Sequence, residues 1–260
     1  WMTIGQSIEQ IEATTLQEVK DFFFNFYAPN NATLVIAGGV PPEDDFAAAE
    51  KWFGPLPRRA VNKPERPAEP PQTAPRQETL TSGNVPLAAV YRAYHIPART
   101  SADYFPADVL AGHLSDGPNA LLYRRLVQEE GVASAVGAFS WNLYDTGKLS
   151  INGRVAEGRS VADYEQALDK ALGELAELPD DAVERQQRKL ESEEVFSKTT
   201  AMNRALGLAL GDSLGDPNRV NTDLERLKAL DGAQVRAFAD RWLVPANCST
   251  LHYLPESNGA

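Results

Sequence analysis

Thr15-Leu-Gln-Glu-Val-Lys-Asp-Phe-Phe-Phe-Asn-Phe-Tyr-Ala-Pro-Asn-Asn-Ala-Thr-Leu-Val-Ile-Ala-Gly38 is the stretch from which the fold is read. Thr15 can cap a helix, with Glu18 three residues later to close a capping box, and Val19, Phe22, Phe23 and Phe26 follow at helical spacing. The spacing predicts an amphipathic helix over Thr15 to Tyr27. Pro29-Asn30-Asn31 breaks it, and the apolar run Ala32 to Ala37, closed by Gly38-Gly39, has the length and composition of a strand.

The same pattern returns near the end of the chain. Sliding the sequence by 216 residues places Val19, Phe22, Pro29 and Asn31 on Val235, Phe238, Pro245 and Asn247, with Glu18, Lys20 and Thr33 on Gln234, Arg236 and Ser249. Helix, proline break and following strand therefore occur twice. A period of that length predicts two homologous repeats with the first one truncated, roughly 150 residues of it being expected upstream of Trp1.

Between the copies, Pro41 to Phe53 reads as a second helix, and Pro55 to Pro75 holds seven prolines among charged and small residues. Such a segment buries too little apolar surface to fold and is stiffened toward polyproline geometry, so it reads as a linker. Beyond it Glu78 to Ser82 and Ala88 to Tyr94 alternate like strands. Ser101 to Leu114 and Asn119 to Glu129 carry helical periodicity, and Ala133 to Trp141 and Lys148 to Val155 read as a strand pair. Helices follow over Val161 to Glu177, Asp181 to Phe196, Ala201 to Leu210, Thr222 to Leu230 and Ala233 to Leu243, then a last strand over Cys248 to Leu254. This order predicts an α+β fold, an antiparallel or mixed sheet with helices packed on one side. The expected domains are residues 1–54 as the tail of the first repeat, 55–76 as linker and 77–260 as the second repeat.

Composition narrows the functional classes. With 43% hydrophobic and 23% charged residues the chain is globular, and it contains no apolar run approaching the roughly 18 residues of a membrane span. A net charge of −11 argues against nucleic acid, which requires clustered Lys and Arg. With Cys248 the sole cysteine, no internal disulfide, cysteine zinc site or C-x-x-C redox motif can be built. The start at Trp1-Met2-Thr3 has no charged n-region or apolar h-region, so any targeting signal is expected upstream.

Candidate chemistry is sparse. His95, His113 and His252 lie in neither H-E-x-x-H nor H-x-x-E-H and read as structural or surface histidines, so no metal ligands are assigned within the chain. Gly211-Asp212-Ser213-Leu214-Gly215 matches the G-x-S-x-G pattern of a serine esterase with Ser213 as nucleophile. That elbow needs a strand before the serine, whereas here a helix precedes it, and Gly211 reads as a helix stop with Gly215-Asp216-Pro217 as a turn. Carboxylates at Glu129-Glu130, Asp180-Asp181 and Glu191 to Glu194 read as solvated helix faces, and Ser115 to Asn119 as a turn and cap. No catalytic residue is assigned.

Taken together these segments resemble the pitrilysin-like M16 zinc metallopeptidases and the related mitochondrial processing peptidase and cytochrome bc1 core subunits. The resemblance rests on Thr15 to Gly38, on Lys51 to Pro57, and on Leu121-Leu-Tyr-Arg-Arg-Leu-Val-Gln-Glu-Glu-Gly-Val-Ala-Ser-Ala-Val136. It implies two homologous α/β domains and peptide-bond hydrolysis at a zinc ion held by an H-x-x-E-H helix and a distal Glu, all of which would fall upstream of Trp1. It also implies an Arg and a Tyr from the C-terminal domain that bind substrate; those positions fall on Val127 and Ser134 here. The expected partners are peptide substrates, the N-terminal region of the same protein and a second M16-like subunit in a heterodimer. Bacterial relatives of this type point to the periplasm. The competing expectation is a non-catalytic scaffold subunit, and this chain alone is expected to be inactive.

Overall fold

The two copies of the helix and its proline break share one backbone. In the computed structural model, which describes residues 7–63 and 70–256, α1 covers Ile8–Ala13, α2 Leu16–Phe26 and α3 Pro42–Phe53. The partner of α2 is α9, Gly232–Trp242, each of its bounds lying 216 residues further on. Both helices open with a capping box, Thr15 with Glu18 and Asp231 with Gln234. They leave the helix at Tyr27 with φ −91° and ψ 49° and at Leu243 with φ −90° and ψ 48°, and each runs into a single 3₁₀ turn, Pro29–Asn31 and Pro245–Asn247. The asparagine explains why P-x-N recurs in register. Its Nδ2 donates to the last helical carbonyl, Asn31 to Phe26 and Asn247 to Trp242, both at 2.8 Å.

Their surroundings differ. Val235 and Phe238 are 0% and 3% exposed, against 53% and 58% for Val19 and Phe22. Beyond the break, Cys248–Pro255 forms β5, whereas Ala32 to Ala37 pairs with no strand among the described residues. That expectation is corrected: an apolar run becomes a strand only when a neighbour takes its backbone hydrogen bonds. Asn247 Nδ2 additionally reaches the carbonyl of His95 in the adjoining strand, a contact for which Asn31 has no counterpart among the described residues.

The second copy belongs to a five-stranded sheet ordered β1-β5-β2-β4-β3, with β1 at Arg76–Ser82, β2 at Ala89–Ile96, β3 at Ala133–Asn142 and β4 at Gly147–Val155. The β1–β5 pair is parallel and the others antiparallel. Of the antiparallel and mixed sheets that the order of elements allows, the chain forms the mixed one. Alternation along β4 separates its two faces: Leu149, Ile151 and Val155 are buried, while Lys148 and Arg154 are exposed and Ser150 and Asn152 half-buried. The buried face packs on α4 (Tyr104–Ser115), α5 (Val161–Gly173), α6 (Asp180–Ser197) and α9, through Val90, Tyr94 and Ile96 of β2 against Leu110, Leu114, Leu168, Val235 and Phe238. Gly153 lets the buried ring of Tyr164 press on the sheet, since a Cβ there would lie 2.6 Å from Cε2. Helix α8 (Arg219–Lys228) packs on α6, and α7 (Ala201–Ser213) packs on α8. Register carries the other face across the sheet, from Trp141 and Phe139 on β3 through β4 to His95, Ala93 and Tyr91 on β2 and Ser249, Leu251 and Tyr253 on β5. Tyr91, Phe139 and Trp141 there remain 43%, 43% and 58% exposed.

The proline-rich segment forms neither helix nor strand where it is described, and its middle, 64–69, lies outside the described residues. Its start is fastened to the first copy. Asn25 exchanges two hydrogen bonds with the backbone of Asn62, at 3.1 Å each, and Asn30 two with that of Arg59, at 3.1 and 2.9 Å. Its end is fastened to the second, Gln72 donating to the carbonyl of Cys248 at 2.7 Å and accepting from Ser249 Oγ at 3.0 Å.

Candidate functional site

Asn119 to Glu129, which periodicity predicts as an α-helix, winds wider than one. Tyr123–Glu129 is a π-helical turn closed by Glu130 N donating to the Arg125 carbonyl at 2.9 Å. π turns inside helices concentrate at functional positions and re-aim the side chains around them. Val127, where the resemblance places an arginine, sits in this turn and packs half-buried against the core. Ser134, where it places a tyrosine, stands exposed at the start of β3, its Oγ donating to the Arg154 carbonyl at 3.4 Å. Neither side chain carries a positive charge or a phenol. The neighbouring arginines point to outer carboxylates: Arg125 Nε lies 2.8 Å from Glu174 Oε1, and Arg124 Nε lies 3.8 Å from Glu129 Oε1.

Among the described residues no three His, Cys, Asp or Glu side chains come close enough together to hold a metal ion. The histidines sit on separate elements. His95 is on β2, His113 on α4, and His252 on β5 with Nε2 3.3 Å from Glu165 Oε1. These residues do not fit a zinc centre.

Ser213 is the last residue of α7, and its Oγ donates to the carbonyl of Leu210 at 2.7 Å. Gly215, with φ +89°, and Asp216 turn back to close the helix, Gly215 N donating to Asp212 and Asp216 N to Gly211. A Cβ on Gly211 would meet the Asp216 carbonyl oxygen at 2.9 Å, so this glycine serves close packing of the turn. The G-x-S-x-G match is a helix stop, with no strand before it.

The acidic clusters are held in ion pairs. Glu129 faces Arg124 and Arg125, Glu130 Lys170, Asp181 Arg185, Glu191 Lys228 and Glu194 Lys198. Lys170 holds the Glu130 carboxyl below its ordinary range. Ser115 to Asn119 is a turn with Gly117 at φ +89°, and Asp116 pairs with Lys189.

His113 lines a cleft of about 520 Å³ with Arg124, Arg125, Glu174, Glu177 and Arg185. Burial, then Arg185 and Arg124, push its pKa below the ordinary 6.5. The unfolded chain therefore binds the proton more readily than the folded one, and stability is present above about pH 6.5 and lost as pH falls through the lowered folded value. His113→Gln is expected to flatten the acid limb of a stability–pH profile measured by urea titration. An unchanged limb would place the acid sensitivity elsewhere.

The geometry defines an α+β domain with helices against one sheet face, the other face open, and a second, partial copy of the same helix-and-break unit ahead of it. The chain belongs to the M16 peptidase family: the family profile described as the peptidase M16 inactive domain matches residues 13–190. Zinc protease PqqE of Helicobacter pylori is 30% identical over 146 residues, covering 55% of this chain and 32% of that protein. The crystal structure of a protease from Helicobacter pylori shares the fold with a TM-score of 0.84 at 19% identity, over 96% of this chain and 61% of that one. The peptidase M16 inactive domain from Pseudomonas fluorescens gives 0.79 at 18% identity, over 97% and 60%. The chain thus spans about a third of its curated relative and about three fifths of the solved structures it matches. No helix among the described residues is long and apolar enough to cross a membrane.

Two groups of side chains lie outside every motif of the sequence. One is the set of charges facing α5, where Arg92 of β2 meets Glu165 and Asp169. The other is the open sheet face, whose signal is the every-second-residue series Lys148, Ser150, Asn152, Arg154.

Proposed function

We propose that this chain is the C-terminal part of an M16-type zinc metallopeptidase subunit that cleaves peptides in an enclosed chamber. In this reading residues 1–54 end the first repeat, 55–76 link the repeats and 77–260 form the second, inactive one. The observation that carries it is the asymmetry between copies. The face of α2 repeats the design of α9, yet Val19, Phe22 and Phe23 stand 50% or more exposed. In the second copy that face is covered by α4, β2 and the turn after α5. Equivalents of those elements, N-terminal to Trp1 in the longer protein, would cover α2 and supply the zinc ligands; the longer PqqE relative supports this.

The second reading is a non-catalytic scaffold or partner subunit of an M16-type heterodimer. Val127 and Ser134 favour it, because neither can replace an arginine or a tyrosine at a substrate carbonyl. One experiment separates them. The intact protein, alone and with its M16-like partner, is assayed on an unstructured quenched-fluorescent peptide with and without a zinc chelator. Chelator-sensitive cleavage that needs the intact protein's own N-terminal region supports the peptidase; cleavage that survives loss of that region assigns it the scaffold role. The 260-residue chain by itself is expected to cleave nothing.

A further inference from the structure

The open sheet face carries charge of the opposite sign to the chain as a whole. Net charge is −11. On this face stand Lys148 and Arg154 of β4 and Arg76 of β1, against one strand carboxylate, Glu78. None of the three cations has a carboxylate within ion-pair distance among the described residues, whereas the helices pair theirs: Arg185 with Asp181, Arg188 with Glu184, Lys198 with Glu194, Lys228 with Glu191. Aromatic rings lie among them. Phe139 and Trp141 meet edge to face at 6.4 Å, Lys148 Nζ sits 5.0 Å from the Trp141 ring centre, and Tyr91 is exposed two strands away.

We propose that this face binds extended peptides rich in Asp and Glu among apolar residues, and so sets the charge preference of the chamber. The inference rests on the reading above, in which the open face is a chamber wall. Lys148 and Arg154, six residues apart along one strand, stand about 20 Å from each other, the span of an extended segment of six or seven residues. The aromatics between and beside them offer stacking and apolar area. Surface cations with no carboxylate partner remain available to an incoming carboxylate and repel basic peptides, so the pattern selects by charge as well as by hydrophobic contact.

The test uses the intact protein and three labelled, unstructured peptides of equal length and apolar content, carrying Glu, Gln or Lys at the same positions. Fluorescence anisotropy at low and high salt gives the dissociation constants. The Glu peptide is expected to bind about tenfold tighter than the Gln peptide at low salt, two cations contributing together, and to lose that advantage as salt rises. Lys148→Gln with Arg154→Gln should bring the two to parity without changing the Gln peptide, and Lys148→Glu with Arg154→Glu should reverse the order of the Glu and Lys peptides. Equal binding of the Glu and Gln peptides, an advantage that survives the double Glu variant, or no binding because other chain or a second copy covers the face, would each overturn the proposal. Cleavage of the Gln peptide is scored separately. Cleavage without charge preference removes this inference and leaves the peptidase; charge-selective binding without cleavage does the reverse.

Discussion

Phe238→Ala is expected to lower the unfolding free energy of the chain by about 3–5 kcal/mol, and Phe22→Ala by less than about 1 kcal/mol, although the two residues hold equivalent places in one repeated unit. Phe238 is 3% exposed, within the core formed by α4, α9 and the sheet, so truncation removes a large apolar surface and leaves a cavity. Phe22 is 58% exposed; its ring contacts Phe26, with centroids 4.7 Å apart, and gains little from burial. Urea titrations of the two variants measure the difference directly. If residues preceding Trp1 complete the first repeat, as proposed, the cost of Phe22→Ala in that longer chain should rise toward that of Phe238→Ala, because the same face would then be covered. Equal costs in the shorter chain would show that α2 already packs as α9 does, and would remove the main support for an incomplete first repeat.

The duplication was legible because its signals are local. A capping box, a helical stripe and a proline are decided within about a dozen residues, and the P-x-N pattern works through a hydrogen bond of the asparagine to a carbonyl five residues back. The helices from Val161 to Leu243 and the strands flanking the Asp145–Gly147 turn were legible for the same reason. What a segment pairs with was not. Ala32 to Ala37 has the residues of a strand and lacks a neighbour, and the π turn at Tyr123–Glu129 arises where the helix joins β3, with Val132 N donating to the Leu126 carbonyl at 2.9 Å. As for the site, Val127 and Ser134 are named only through the resemblance, which needs no more than alignment of a motif. The sequence could not show that Arg76 of β1 shares the face of Lys148 and Arg154, because that depends on register between strands that are far apart in the chain.

Stripping the carboxylates from Arg92, in Glu165→Ala with Asp169→Ala, is expected to cost about 3 kcal/mol, more than Arg92→Met on its own. The Arg92 side chain is 10% exposed on the helix-covered face of β2, 3.1 Å from Glu165 Oε1 and paired also with Asp169, while those partners are 25% and 64% exposed. The asymmetry in burial fixes the order of effects. A guanidinium deprived of its partners stays desolvated, whereas the two carboxylates can turn toward water once the guanidinium is gone, Glu165 remaining beside His252. Arg92→Met, which keeps the length of the side chain on the covered face of the sheet, should therefore cost about 1 kcal/mol or less, and adding it to the double alanine variant should recover most of the loss. Urea midpoints for the four proteins at two salt concentrations measure this, the contact of a buried guanidinium being screened far less than the surface pairs of α6. If the double alanine variant were no less stable than Arg92→Met, the guanidinium would have to reach solvent when released, and the network would act only as a clamp between α5 and the sheet rather than as compensation for a buried charge.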